Sequence, residues 1–302
     1  MIQSLWSGYG KIVRYALDDS EWDSVVIKQV RWPAHRKSSR QNEADLSHQR
    51  KVRSYQVEMA WYGKWSEATN EQCRVPRCLA LATYGDEVWM VLEDLDTQGF
   101  PLRKNACSTP EVKACLTWLA HFHAVFLGER PQDLWKTGTY WHLATRPYEL
   151  TKMNDEPLRK VAFALDQKLS QSSFQTFVHG DAKLANFCFS RDGKQVAAVD
   201  FQYTGGGVGI KDVAYLIDSA YSEEAAERME KELLDFYFAQ LRKALERTGK
   251  MIDFVALESD WRSLYPVAWT DFFRFLKGWS PGRWNPQGYS ERLAKIVMEQ
   301  CR

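Results

Sequence analysis

Between Phe174 and Gln202 the chain runs through three short apolar stretches, Phe174 to Val178, Phe187 to Phe189 and Gln195 to Val199. The first and last are each followed by an acid, in His179-Gly180-Asp181 and in Val199-Asp200-Phe201, and the last two are joined by a turn at Asp192-Gly193. Two carboxylates leaving neighbouring strand ends, inside a region that otherwise reads as helical, require a fold that lays a small sheet against helices and holds both acids at its edge.

The rest of the chain divides around a hinge. Strands are expected at Gln3 to Trp6, Lys11 to Leu17 and Ser24 to Val30, the last with a β-branched Val25-Val26-Ile27 core. A polar stretch from 31 to 53 follows, rich in Arg and Lys; its first half reads as a mobile loop. Apolar spacing then becomes helical from about Leu46 to Trp65. Strands return at Leu79 to Thr83 and Glu87 to Leu92 and end in a Gly- and Pro-containing hinge, Glu93 to Pro101. This places an N-terminal lobe at 1–96 and a second at 97–302. Beyond the hinge helices are expected at Pro110 to Leu127, Pro147 to Leu169, Val213 to Ala220, Ser222 to Arg247, Trp261 to Lys277 and Ser290 to Gln300, giving an α+β, two-lobed chain.

Composition removes several classes. Forty Lys and Arg against 39 Asp and Glu leave a net charge of +1, which argues against a surface devoted to nucleic acid. No apolar run approaches the roughly 18 residues of a membrane span. The N-terminus has no basic start, apolar run and cleavage site, so a cytoplasmic location is expected. Six cysteines with neither C-x-x-C pairs nor framework spacing read as reduced, mostly buried thiols.

Phosphoryl transfer needs a carboxylate near the attacking hydroxyl and oxygen ligands that hold Mg²⁺ against nucleotide phosphates. Asp181, Asn186 and Asp200 offer both. Here the chain resembles the protein-kinase-like superfamily, in its small-molecule branch of aminoglycoside-phosphotransferase-like, choline-kinase-like and ecdysteroid-kinase-like enzymes, which share H-G-D-x-x-x-x-N followed by D-F or D-W-[DEQ]. The resemblance implies a bilobal protein-kinase-like fold, ATP and Mg²⁺ as cofactors, Asp181 as the catalytic Asp, and Asn186 and Asp200 as metal ligands. Lys183 takes the position of a lysine that touches the γ-phosphate in protein kinases. Gly180 replaces the Arg of their catalytic loop, and Gln202 replaces the Gly of D-F-G.

The upstream parts follow in order by the same resemblance. Lys28 ends the third strand where the phosphate-holding lysine belongs, Glu58 lies on the next helix as its partner, and Glu93-Asp94-Leu95 falls where backbone groups meet adenine. Gly8 and Gly10 stand between the first two strands as either a phosphate clamp or an ordinary hairpin turn. Asp212, after the run Gly205 to Gly209, matches an Asp that braces the catalytic loop.

Other signals have plainer readings. His121, His123 and Cys115 share one helix and read as packing residues. The basic stretch lacks an aromatic ladder and reads as a solvated face, with no nucleic-acid partner. The nine aromatics between Trp261 and Tyr289 read mostly as core, with some lining an acceptor site. The 12-residue interval from Asp200 to Asp212 leaves no long activation segment, so the acceptor is a small molecule. The tail's few acids disfavour polycationic aminoglycosides, which leaves a partly apolar alcohol or a choline-like compound. The alternative to catalysis is a nucleotide-binding pseudokinase module. Oligomeric state is not legible.

Overall fold

The structure, a computed structural model, describes residues 1–5, 8–32, 41–280, 282 and 284–301. The N-terminal part is a five-stranded antiparallel sheet in the order β1-β2-β3-β5-β4, made of β1 (Gln3–Ser4), β2 (Gly10–Ala16), β3 (Ser24–Arg31), β4 (Cys78–Tyr84) and β5 (Glu87–Glu93). Alternation along β3 buries Lys28 and Val30 on one side, and β3 lies between β2 and β5 with Lys28 opposite Ile12 and Met90. Helix α1 (Gln41–Ala60) packs beneath and carries Glu58. The expected loop of the basic stretch falls largely on 33–40, which lie outside the described residues, as do Trp6 and Ser7; the helix begins at Gln41 rather than near Leu46.

Past α1 the chain widens into a π-helical turn, Trp61–Trp65. That turn points two indoles into the second half of the molecule. Trp61 is fully buried and stacks on Phe201 with ring centres 4.4 Å apart. Trp65 meets Phe177 edge-on at 4.9 Å. The hinge after β5 is irregular and is stitched to the second half by paired backbone bonds between Leu102 and Phe189.

The remainder is mainly helical: α2 (Thr109–Phe126), α3 (Pro147–Lys152), α4 (Glu156–Ser170), α5 (Ile210–Ala220), α6 (Glu223–Thr248), α7 (Phe254–Trp279) and α8 (Tyr289–Glu299). The single helix expected over 147–169 is broken. Asp155 caps a new start by accepting from the Leu158 N–H at 3.1 Å, and Pro157 takes the first turn, where its missing donor costs nothing. Helix α7 likewise begins seven residues early, capped by Asp253. The β island appears as two pairs, β7 (Phe187–Phe189) with β8 (Val196–Ala198) and β6 (Thr176–Val178) with β9 (Gly205–Gly207). β9 hides in a glycine run because Trp135 and Gly138 approach so closely that a Cβ on Gly205 would lie 2.2 Å from the Trp135 carbonyl oxygen. All six cysteines are free, with Cys73, Cys115 and Cys188 buried. Among the described residues no helix is long and apolar enough to cross a membrane.

The core runs along α2. Trp118 is 1% exposed, stacks on Phe122 at 4.9 Å and donates its indole N–H to the Arg74 carbonyl at 2.8 Å. Trp118→Ala is expected to cost about 3–5 kcal/mol, read as a lowered urea midpoint at constant slope; a loss under about 1 kcal/mol would contradict this packing.

Candidate active site

Strand β6 delivers His179-Gly180-Asp181 into a fully buried anchor. The carboxylate of Asp212, in the first turn of α5, accepts the His179 N–H at 2.6 Å and the Gly180 N–H at 3.0 Å, with His123 Nε2 at 3.2 Å. His123 is thus a packing and bracing residue and not a metal ligand. Gly180 has φ +79°, and a Cβ there would lie 2.1 Å from the Tyr203 carbonyl oxygen, so both conformation and space demand glycine. His179 is buried, which disfavours its charged form and lowers its pKa. Its two bonds fit one neutral tautomer: Nδ1 accepts from the Asp181 N–H at 3.2 Å and Nε2 donates to the Val199 carbonyl at 3.0 Å. The ring thereby ties the Asp181 loop to the strand leading into Asp200.

Asp181 is 7% exposed, and burial, which outweighs the pull of Lys183, pushes its carboxyl up to about 6. Oδ2 accepts from Lys183 Nζ at 3.2 Å and Asn186 Nδ2 at 2.9 Å, and Oδ1 from the Tyr215 hydroxyl at 3.2 Å. Asp200, half-buried, adopts φ +70°, a left-handed backbone rare outside glycine and characteristic of functional loops. Burial pushes its carboxyl up, but Lys28 and Lys51 outweigh it and hold Asp200 below the ordinary carboxylate value.

Above this loop Lys28 and Glu58 form the expected buried pair, with Nζ 2.8 and 2.6 Å from the two carboxylate oxygens and 3.9 Å from Asp200. Gln202 fills the place of the D-F-G glycine and forms a bridge. Its Nε2 donates to Asp200 at 2.7 Å, while its Oε1 accepts from Lys51 Nζ at 2.9 Å and the Ser54 hydroxyl at 3.2 Å. Only one amide orientation satisfies all three bonds. The basic stretch as a whole reads as a solvated face, but Lys51 does not belong to it, since Lys51, Ser54, Tyr55 and Glu58 share one side of α1. Their i, i+3, i+4, i+7 spacing was the available signal. Burial first, and Lys28 second, lower the Lys51 pKa.

The two glycines differ. Gly10, at φ +141°, lies so close to β3 that a Cβ would meet the Gln29 carbonyl oxygen at 1.9 Å, a packing requirement; Gly8, at φ +76°, faces open space. The side chains of Glu93 and Asp94 are engaged internally, the first with Arg74 and the Arg77 N–H, the second with Arg14 and Ser24. Leu95 packs with Phe100, Cys188 and Ala197. What this segment offers a ligand is main chain.

Among the described residues no group of three His, Cys, Asp or Glu could hold a metal. The donor set is one that Mg²⁺ uses, because that ion takes one or two protein oxygens and completes its shell with water and phosphate. Asn186 directs its N–H groups at Asp181, to the carbonyl oxygen at 2.7 Å and to Oδ2 at 2.9 Å, so its Oδ1 and the Asp200 carboxylate are the oxygens that would hold the ion.

On the other side of Asp181 an aromatic wall begins. The Tyr215 hydroxyl also reaches the Tyr140 hydroxyl at 3.3 Å. Tyr140 meets Tyr203 at 5.9 Å and Phe275 at 5.3 Å between ring centres, and Phe275 leads to Trp279, 56% exposed. Of the terminal aromatics, Trp261, Tyr265, Trp269 and Phe273 belong to the main core, Phe272 and Phe275 form a smaller buried cluster with Trp141 and Tyr215 that backs the wall, and Trp279 is exposed at its end. Asp271 accepts from the Trp141 indole and from Arg274, fixing the wall from behind. Tyr140, Tyr203 and Tyr215 carried no motif and went unnoticed in the sequence.

The N-terminal antiparallel sheet and mainly helical remainder, with a buried lysine–glutamate pair above an acid-lined loop, match the fold class expected from the resemblance. Residues 139–250 match the Ecdysteroid kinase-like family, and over that stretch, which holds Asp181, Asn186, Asp200 and Asp212, the resemblance to the small-molecule kinase branch is borne out. No curated protein matches the chain. Among solved structures, an aminoglycoside phosphotransferase of Streptomyces rimosus is similar over 82% of this chain and 87% of its own, with 16% identity and a TM-score of 0.44. A Plasmodium vivax ethanolamine kinase is similar over 95% of this chain and 82% of its own, at 10% identity and a TM-score of 0.47. A choline/ethanolamine kinase family protein of Mesorhizobium loti covers 98% and is covered over 89%, at 12% and 0.40. At such scores the likeness decides nothing about the acceptor.

Gly180→Ala is expected to lose about 1–2 kcal/mol from its left-handed backbone alone and more from the clash with Tyr203. A melting-temperature drop of several degrees would register this; an unchanged melting temperature would refute the geometry.

Proposed function

We propose that the chain is an ATP-dependent, Mg²⁺-requiring phosphotransferase that phosphorylates a hydroxyl of a small, partly apolar molecule. The observation that carries this is Asp181: a buried carboxylate bonded by Lys183, Asn186 and Tyr215, lying between the Lys28–Asp200 side of the cleft and the aromatic wall. In this reading residues 1–96 and 97–302 are the two lobes that close on the nucleotide.

The main chain around Gly8 and of Glu93, Asp94 and Leu95 receives the nucleotide, and Lys28, held by Glu58, meets its phosphates. Asn186 and Asp200 hold the metal, which supplies charge neutralisation on the phosphates when bound. Asp181 orients the acceptor hydroxyl and takes its proton as the oxygen bonds to the γ-phosphorus and the bond to the ADP oxygen breaks. Lys183 faces the negative charge on the group in transfer. Gln202 keeps Asp200 in place, so replacement of the D-F-G glycine is compatible with metal holding.

The wall supports a partly apolar alcohol. The acids Asp271 and Glu291 are paired internally with Arg274 and Lys277, which supports the case against polycationic aminoglycosides. Arg50 and Arg146 near the wall favour the apolar alcohol over a choline-like cation. Six free thiols fit a reducing cytoplasm.

Asp181→Asn is expected to reduce ADP release by about 10²–10⁴-fold, the share of a positioned general base, while Mg²⁺·ADP still raises the melting temperature. Unchanged turnover would remove Asp181 from this role. Metal-dependent ADP binding with no phosphorylated product from any alcohol would favour the pseudokinase.

A further inference from the structure

We propose that the acceptor carries an oxyanion, a carboxylate, sulfate or phosphate on its apolar body, and that Arg50 and Arg146 at the outer end of the aromatic wall receive it. The inference rests on the phosphotransferase reading and names the substrate class for that same site.

The two arginines come from opposite halves of the molecule. Arg50, on α1, donates to the Thr145 carbonyl at 3.2 Å, which sets its guanidinium beside the residue that follows. Arg146 lies over the Trp279 ring at 5.1 Å. The wall is therefore continuous from Asp181, through Tyr215, Tyr140, Phe275 and Trp279, to a guanidinium. The phenols of Tyr140 and Tyr203 lie within electrostatic reach of both Asp181 and Arg146, and Tyr203 within reach of Arg50 as well. Tyr215 and Phe275 are buried behind the half-buried Tyr140 and Tyr203, so a molecule with its hydroxyl at Asp181 and its body along Tyr140 and Tyr203 presents its far end to the pair.

The pair is under-compensated. Glu149 Oε1 meets Arg146 Nη1 at 3.4 Å, while the bonds of Arg50 go to neutral oxygens, the Thr145 carbonyl and the hydroxyls of Ser47 and Tyr203. Among the described residues one carboxylate thus faces two guanidiniums, and the buried Arg146 Nε has no hydrogen-bond partner. Burial, and next the charge of Arg146, hold the Arg50 guanidinium below its ordinary value, as expected of like charges kept together. An oxyanion supplies the missing charge and can accept from a planar guanidinium fork in bidentate fashion; a quaternary ammonium would be repelled.

The test compares matched probes on the full chain with Mg²⁺ and ADP present: ω-hydroxylauric acid against its methyl ester, and a hydroxymethylbenzoic acid against its methyl ester. Calorimetry should give affinities for the acids about tenfold or more above those for the esters, the size of one charge-assisted bond. Arg146→Met should bring acid and ester within about twofold, and KM for any acid turned over should rise with it. Arg50→Met is the second variant, should Arg146→Met not fold, and melting curves verify that each is intact. Equal binding of acid and ester by the wild type, binding of neither acid while ADP is bound, or an acid preference unchanged in both folded variants would overturn the inference. Failure of the phosphotransferase reading is distinguishable, because the wild type would then form no phosphorylated product from ATP and any alcohol, whatever the ratio of acid to ester binding.

Discussion

The site hangs on the buried carboxylate of Asp212. Two main-chain N–H groups, from His179 and Gly180, point at its oxygens at 2.6 and 3.0 Å, in an interior where charge-assisted bonds are strong. They fix the strand end from which Asp181 projects, in a turn that tolerates only glycine at 180. Three residues further along the same face of α5, Tyr215 reaches the Asp181 side chain. One helix thus holds the loop by its backbone and contacts its acid directly.

Helix α1 makes the second connection. Glu58 sets Lys28, Lys51 and Ser54 meet the amide that holds Asp200, and the π-helical turn at the end of α1 stacks Trp61 on Phe201. The sheet-side cation and the C-terminal acid therefore share one support. A shift of α1 would disturb the buried lysine–glutamate pair and the Asp200 bridge together, and Arg50 on the same helix would leave the aromatic wall. The Lys28 side and the aromatic side of Asp181 are in this way mechanically joined.

Sequence patterning made some of this legible and not the rest. Asp181, Asn186 and Asp200 could be found because the motif that the chain shares with small-molecule kinases carries them, and Lys28 and Glu58 because they follow in the order that this resemblance implies. Asp212 was readable for the same reason. The aromatic wall was readable at Phe272, Phe275 and Trp279, whereas Tyr140, Tyr203 and Tyr215 arrive from three separate segments and meet only in the folded chain. Lys51 was hidden by its basic neighbours, although its helical phase with Glu58 pointed inward. The break between α3 and α4 was written in Asn154-Asp155-Glu156-Pro157, a cap followed by a first-turn proline, but apolar periodicity on both sides obscured it. Strand β9 has no β-forming residue at all; close approach of Trp135 and Gly138, and not propensity, makes it a strand.

The central claim is that Lys28, Asn186 and Asp200 form a nucleotide-phosphate site with a divalent cation. Calorimetric titration of ADP with and without Mg²⁺, on the wild type and on Asp200→Asn, addresses it most directly. The account predicts that Mg²⁺ tightens ADP binding about tenfold or more in the wild type and that this gain disappears in the variant, since a lost ligand removes most of the coupling. ADP binding indifferent to Mg²⁺ in the wild type, or equally enhanced in Asp200→Asn, would contradict it.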